Sequence, residues 1–153
     1  MTTTSAAHTS FVLDRSFKAS AARVFAAWAD PATKQRWNDC HAEMNATEFS
    51  MDFRPGGFEI YRSQLPDGTK LAVDKVFLDI VEPARIVFAY SMAANGKALS
   101  ASLVTVEFAD TATGSALKLT EQLAYLDGHM DLEQRRRGTN DGLDRLLLEV
   151  DAA

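Results

Sequence analysis

The chain has a single cysteine, Cys40, in 153 residues, so no internal disulfide can staple it and a reducing compartment is expected. Long apolar runs are missing as well: none approaches the ~20 residues that cross a bilayer as a helix. Cations are in the minority, 16 Lys and Arg against 21 Asp and Glu, for a net charge of −5. A protein that grips a phosphate backbone concentrates basic residues instead, so no nucleic-acid partner is expected. The segment from Met1 to Ser10 is rich in Thr, Ser and Ala and lacks the basic start and apolar stretch of a secretory signal. A frayed tail over residues 1–10 and a cytoplasmic location follow as expectations, with no role for His8. Metal-ligand spacing is also missing: Cys40 and His41 are adjacent, lie far from His129 and Asp131, and no CxxC or HxxxH accompanies them. Neither a metal, nor a cofactor, nor a thiolate–imidazole pair is expected. Gly56-Gly57 lacks the GxxxxGK[ST] surround of a phosphate loop, and no nucleophile elbow or Ser-His-Asp order points to nucleophilic hydrolysis.

What is present is enough for one domain. At 46% hydrophobic residues, a chain of this length buries roughly 70% of the surface its unfolded form exposes. Residues 11–153 carry no repeat or linker and read as a single unit. Phe11, Leu13, Arg15 and Phe17 alternate with Val12, Asp14, Ser16 and Lys18, the pattern of a half-buried strand. Ser20 then caps a helix bearing Val24, Phe25 and Trp28, and Asp30-Pro31 starts a second, short helix that ends near Trp37. Strand-like stretches follow at about 43–53, 57–65, 69–81, 85–93, 99–109 and 115–125, separated by Pro55-Gly56-Gly57, Pro66-Asp67-Gly68, Glu82-Pro83, Asn95-Gly96 and Thr113-Gly114. Short turns between consecutive strands imply an antiparallel sheet. After Gly128 the period turns helical, with Leu143, Leu146, Leu147 and Val150 in one stripe that extends back through Asn140, Thr139, Arg136 and Leu132. The C-terminal half of this helix is greasy and the N-terminal half polar, as for a helix that lines a cavity at one end or that simply starts outside the core.

Eight short motifs in register resemble a known family: Arg15-Ser16-Phe17-Lys18-Ala19, Val24 to Pro31, Arg36-Trp37, Asp52 to Gly57, Pro66 to Thr69, Glu82 to Phe88, Val104 to Phe108, and Gly142 to Leu146. Together they resemble the activator of heat-shock-protein-90 ATPase homologue-like group of the START and Bet v 1 related (SRPBCC) superfamily, over about residues 11–150. The resemblance implies an α+β helix-grip fold: a curved antiparallel sheet of about seven strands around a long C-terminal helix, with two short helices after strand 1. It also implies an apolar cavity between sheet and helix for a small hydrophobic molecule. The co-chaperone that gives the group its name has an additional N-terminal domain with no counterpart here. Two positions depart from the family's pattern, which often has tryptophan where this chain has Asn38 and again where it has Thr139. Small polar residues there enlarge and wet the cavity, unless neighbours repack into the space.

Period two on the last strand puts Glu121 on the face of Leu117, Leu119 and Leu123, where a carboxylate must pair or hold its proton. Because strand 1 lies beside the last strand in the helix-grip topology, Arg15 is expected opposite Glu121, as a structural ion pair or as a ligand-orienting or acid/base pair. Asp74, in step with Val76, Leu78 and Ile80, is a second candidate inward carboxylate, although Leu71, Val73 and Phe77 make the other face nearly as apolar. Ser100 and Ser102 share a face with Val104 and Val106. Trp37, Met51, Phe53, Phe58, Phe88, Tyr90 and Met92 are candidates for the cavity wall, each of them otherwise ordinary core. With Asn38, Ser102, Glu121, Arg136, Thr139, Asn140 and Leu143 they make up the expected ligand-binding set. The run Arg135-Arg136-Arg137 reads as a solvated helix face among Asp131, Glu133 and Asp141. Three functions remain open: binding of a small hydrophobic molecule, a cyclase, dehydratase or isomerase in which Glu121 moves a proton with Arg15 or Asp74, and a stress-related co-chaperone-like interaction module. A homodimer is compatible with all three.

Overall fold

The computed structural model describes residues 4–38 and 45–151. In chain order they form β1 (Ala6–Phe17), α1 (Ala21–Ala29), α2 (Pro31–Asn38), β2 (Asn45–Met51), β3 (Phe58–Gln64), β4 (Lys70–Val81), β5 (Arg85–Ala94), β6 (Lys97–Thr111), β7 (Gly114–Leu126) and α3 (Leu132–Asp151). The strands make one curved sheet in the order β1-β7-β6-β5-β4-β3-β2, antiparallel throughout. This is the helix-grip fold that the resemblance implies. The turn chemistry explains the meander: between β5 and β6, Asn95 and Gly96 hold φ at 49° and 80°, the two-residue type I′ geometry that matches strand twist.

β1 begins earlier than its side-chain pattern indicates. Ala6 to Ser10 pair with Leu126 to Gln122, and Ser5 and Asp127 close the end of the ladder, the Asp127 amide donating to the Ser5 carbonyl at 2.9 Å. Ladder bonds need only backbone, and the side chains of Ala6–Ser10 are mostly exposed, so no alternation marks them. The tail expected over 1–10 is therefore in part a strand.

Both short helices start on side-chain caps. Ser20 Oγ accepts from the Arg23 amide, Asp110 Oδ1 on β6 accepts from the Ala21 amide at 2.9 Å, and Asp30 Oδ2 accepts from the amide and hydroxyl of Thr33. α1 buries Val24, Phe25 and Trp28; the Phe25 and Trp28 rings meet Phe108 on β6 edge to face, and Trp28 meets Trp37 on α2 in the same way. α3 lies across the same inner face of the sheet. Leu143, Leu146 and Val150 are buried there, and Asp151 fastens the end of the helix by accepting the Lys18 and Ala19 amides at 3.0 Å each. Toward the N-terminus the buried stripe runs through Gly142 to Arg135, while Arg136 is exposed. The expected stripe through Arg136 is thus one residue out of phase, because partnered charges on the neighbouring strands and loop draw Arg135 inward.

Among the described residues no helix is long and apolar enough to cross a membrane.

Candidate functional site

β7 carries Glu121 on its inward face between Leu119 and Leu123, only 3% exposed. Its Oε2 accepts the Tyr90 hydroxyl at 2.5 Å and the Ser102 hydroxyl at 2.9 Å. Those partners arrive by register: Tyr90 sits opposite Ser102 across β5 and β6, and Ser102 opposite Leu123, two residues along β7 from Glu121. From the first turns of α3, Arg135 closes the group, with Nη1 donating to the Tyr90 oxygen at 3.3 Å and lying 3.6 Å from Glu121 Oε2. Its Nη2 reaches Asp131 Oδ2 at 3.4 Å and Met92 Sδ at 3.5 Å. The guanidinium lies 5.9 Å from the Tyr90 ring centre and 5.5 Å from that of Tyr125. Asp131 in turn accepts the Tyr125 hydroxyl at 2.7 Å and contacts His129 Nε2 at 2.9 Å. The result is a chain of polar contacts from the buried carboxylate of Glu121 to the half-buried imidazole of His129.

The electrostatics keep both phenols protonated. Burial, then the Glu121 charge, raise Tyr90 above the ordinary tyrosine value. Burial and the hydrogen bond to Asp131 push Tyr125 up to about 12. At Asp131 burial works upward, but the bonds from His129 and Tyr125 and the charge of Arg135 hold the carboxyl below its ordinary value. At neutral pH the site therefore presents two neutral phenols beside the Asp131 carboxylate and the Arg135 guanidinium. Beside it the buried hydroxyl of Ser100 has no hydrogen-bond partner among the described residues.

A second buried charge group lies farther along the same face. Glu59 on β3 takes Lys34 of α2 on Oε1 at 2.8 Å and Lys75 of β4 on Oε2 at 3.0 Å. Lys34 is fully buried with its ammonium 5.1 Å from the Trp28 ring centre and 5.8 Å from that of Trp37. Lys75 extends over Phe88 at 5.0 Å and Tyr90 at 6.0 Å. Burial drags Lys34 down to about 8 against the pull of Glu59, and Lys75 adds to the lowering. Burial alone would raise Glu59, yet the two ammoniums hold it at about 2.

Several expected site residues are placed elsewhere. Arg15 faces Leu117, and the partner of Glu121 across β1 and β7 is Phe11; the Arg15 guanidinium instead binds Asn140 Oδ1 at 2.9 Å and Asp144 on α3. Asp74 points outward and pairs with Arg62 at 2.7 Å, because β4 turns Val73, Lys75 and Phe77 inward. Phe58 is 60% exposed, since β3 commits its inner face to Glu59, Tyr61 and Ser63. Arg136 faces solvent and Arg135 takes its place. Trp37 and Leu143 are fully packed core, the indole of Trp37 donating to the Ala27 carbonyl at 3.0 Å. Phe88, Tyr90, Met92 and Ser102 lie on the inner face, with Met51 and Phe53 partly buried against the core and Asn38 half-buried at the end of α2. Thr139 is half-buried and donates back to the Arg135 carbonyl at 3.0 Å, as helical threonines do. Cys40 and His41 lie outside the described residues.

Sequence reasoning missed Arg135, Asp131 and Tyr125, and the whole of the Lys34, Glu59 and Lys75 group. Among the described residues no group of three or more His, Cys, Asp or Glu side chains is arranged to hold a metal ion. Two open grooves, of about 600 and 490 Å³, lie mainly against outward residues such as Leu103 and Gln122, and Glu107 and Lys118, on the opposite face of the sheet from the polar chain.

Residues 18–152 match the family model described as activator of Hsp90 ATPase homolog 1-like protein. Among solved structures, an uncharacterized protein from Rhizobium leguminosarum is 42% identical with a TM-score of 0.95, covering 99% of this chain and 100% of that one. Mll3558 from Rhizobium loti is 41% identical over 95% of this chain and 99% of that one, with a TM-score of 0.88. An AHSA1-like protein from Aeromonas hydrophila, 21% identical over 94% of this chain and 93% of that one with a TM-score of 0.69, shares the fold. No curated protein matches. With the seven-stranded sheet gripping α3 and the family model spanning all but the first strand, the chain belongs to the family of activator of Hsp90 ATPase homolog 1-like proteins.

Proposed function

We propose that the protein binds a small, mostly hydrophobic molecule between the inner face of the sheet and the N-terminal half of α3, its polar group oriented by Tyr90, Glu121 and Arg135. The observation that carries this reading is the placement of those three side chains. They form one buried, hydrogen-bonded cluster within an otherwise apolar wall of Phe88, Val104, Leu119 and Leu123. A core that only had to be stable gains little from such a cluster, because apolar residues of the same volume are often as stable or more so. Small-molecule sites have this composition, apolar walls with a few convergent polar groups. The Ser100 hydroxyl, without a partner among the described residues, supplies one more polar contact that a ligand can satisfy.

The proton-transfer reading is weaker. Both of its supposed helpers, Arg15 and Asp74, are held elsewhere, and Oε2 of Glu121 is already engaged by Tyr90 and Ser102. Native mass spectrometry against a library of hydrophobic metabolites tests the binding reading. A one-to-one adduct that Tyr90→Phe weakens is the expected result; adducts that never exceed those of an unrelated acidic protein would refute it.

A further inference from the structure

Lys34, Glu59 and Lys75 place two ammoniums on one carboxylate beneath the inner face of the sheet. The two lysines are not equivalent. Lys34 is fully buried, capped by the Trp28 and Trp37 rings, and neutralises Glu59 by itself from 2.8 Å. Lys75 therefore adds a positive charge that this pair does not require. An excess buried charge is costly, and an apolar residue at this inward position of β4 would pack against Phe88 without that penalty. Lys75 also keeps a little of its side chain accessible, 11% against 1% for Lys34 and none for Glu59. Its ammonium is directed along the aromatic wall of the proposed site, toward Phe88 and Tyr90. Arg135 approaches the same Tyr90 ring from α3 at 5.9 Å. Its charge, however, is shared by Glu121 and Asp131, so the excess positive charge of the inner face is on the Lys75 side of Tyr90.

We propose that Lys75 is the anion-recognition residue of the site, and that the ligand is an amphiphilic organic acid whose polar group, a carboxylate held beside Tyr90, pairs with Lys75 while its apolar body lies along the wall of Phe88, Val104, Leu119 and Leu123. This inference rests on the binding reading above and names its ligand class. The bound carboxylate neutralises the third charge of the cluster, and the ring faces of Phe88 and Tyr90 exclude water from the pair, which strengthens it.

Matched ligands test it on the full chain. Decanoic acid and 1-decanol share a carbon skeleton and differ in the headgroup, and calorimetric titration at neutral pH gives the affinity of each. The acid is expected to bind about tenfold or more tightly than the alcohol, as a charge-assisted contact in a desolvated site provides. In Lys75→Met the preference is expected to vanish while alcohol binding persists, and in Lys75→Arg the preference remains. Intermolecular NOEs between the Lys75 ε-methylene and the α-methylene of decanoate, measured on the unmutated protein, give a readout that does not depend on how well the variants fold. Equal affinity for acid and alcohol, or a preference that survives Lys75→Met, overturns the inference and leaves the binding reading standing. Failure of both ligands to bind overturns both.

Discussion

Arg135 and Arg136 are adjacent on α3, yet one is locked among Tyr90, Met92, Glu121 and Asp131 while the other is in water. Arg135→Met leaves the Glu121 and Asp131 carboxylates without their shared cation and is expected to cost roughly 3–5 kcal/mol in urea unfolding, the range for breaking one side of a buried pair. Arg136→Ala is expected within about 0.5 kcal/mol of the parent. Equal effects would contradict the placement of the helix. Nothing in three consecutive arginines says which turns inward; partners on β5, β7 and the loop before α3 decide it. Glu59 gives a pH signature. Its folded value of about 2 lies below the ordinary 4.5, so its contribution is fully present above about pH 4.5 and is lost as the pH falls toward 2. Stability is expected to drop across that window by roughly 3 kcal/mol on this account, and Glu59→Gln is expected to flatten that part of the urea-midpoint profile. This cluster was hidden in the sequence for a physical reason. Phe58 reads as part of the cavity wall, whereas Glu59 is buried beside Tyr61 and Ser63 on the other face of β3, where lysines from α2 and β4 pair with it.

At the scale of elements, the strands and helices were legible because alternation, caps and turns act locally. Asn95-Gly96 sets a hairpin by its own backbone preference, and Ser20 and Asp30 cap the helices that follow them. The pairing of β1 with β7 is another matter. The two strands are distant in sequence, and a slip of two or four residues leaves every side chain on its own face. Alternation alone thus allowed Arg15 opposite Glu121, whereas the actual register puts Phe11 there. Two glycines test the packing of elements. A Cβ on Gly142 of α3 would meet nothing closer than 3.8 Å, so Gly142→Ala is expected to raise stability by about 0.5–1 kcal/mol through helix propensity. A Cβ on Gly57 would fall 2.0 Å from the Asp52 carbonyl oxygen. Gly57→Ala is therefore expected to destabilise by about 2 kcal/mol or more, visible as a lower urea midpoint. Gly57 also accepts the Phe77 amide at 3.0 Å, so this substitution strains the loop between β2 and β3 where it meets β4.

For the molecule as a whole, the two ends of the inner face differ. The C-terminal half of α3 presses Leu143, Leu146 and Val150 into a solid aromatic and aliphatic core and ties itself to β1 through Arg15 and to the residues just after β1 through Asp151. The N-terminal half meets the sheet through Arg135, Glu121, Tyr90 and Ser102. That asymmetry was legible in the apolar stripe of the helix. The identities of the partners were not, since they converge from four elements that only the tertiary fold brings together. It is at this polar end that a small molecule is proposed to bind. ¹H–¹⁵N spectra of the protein titrated with 1-decanol test it most directly. Saturable shifts are expected at Tyr90, Met92, Ser102, Glu121, Arg135 and Thr139, with the outward Leu103, Glu107, Lys118 and Gln122 unmoved. Shifts confined to those outward residues, or none at saturating ligand, would contradict it.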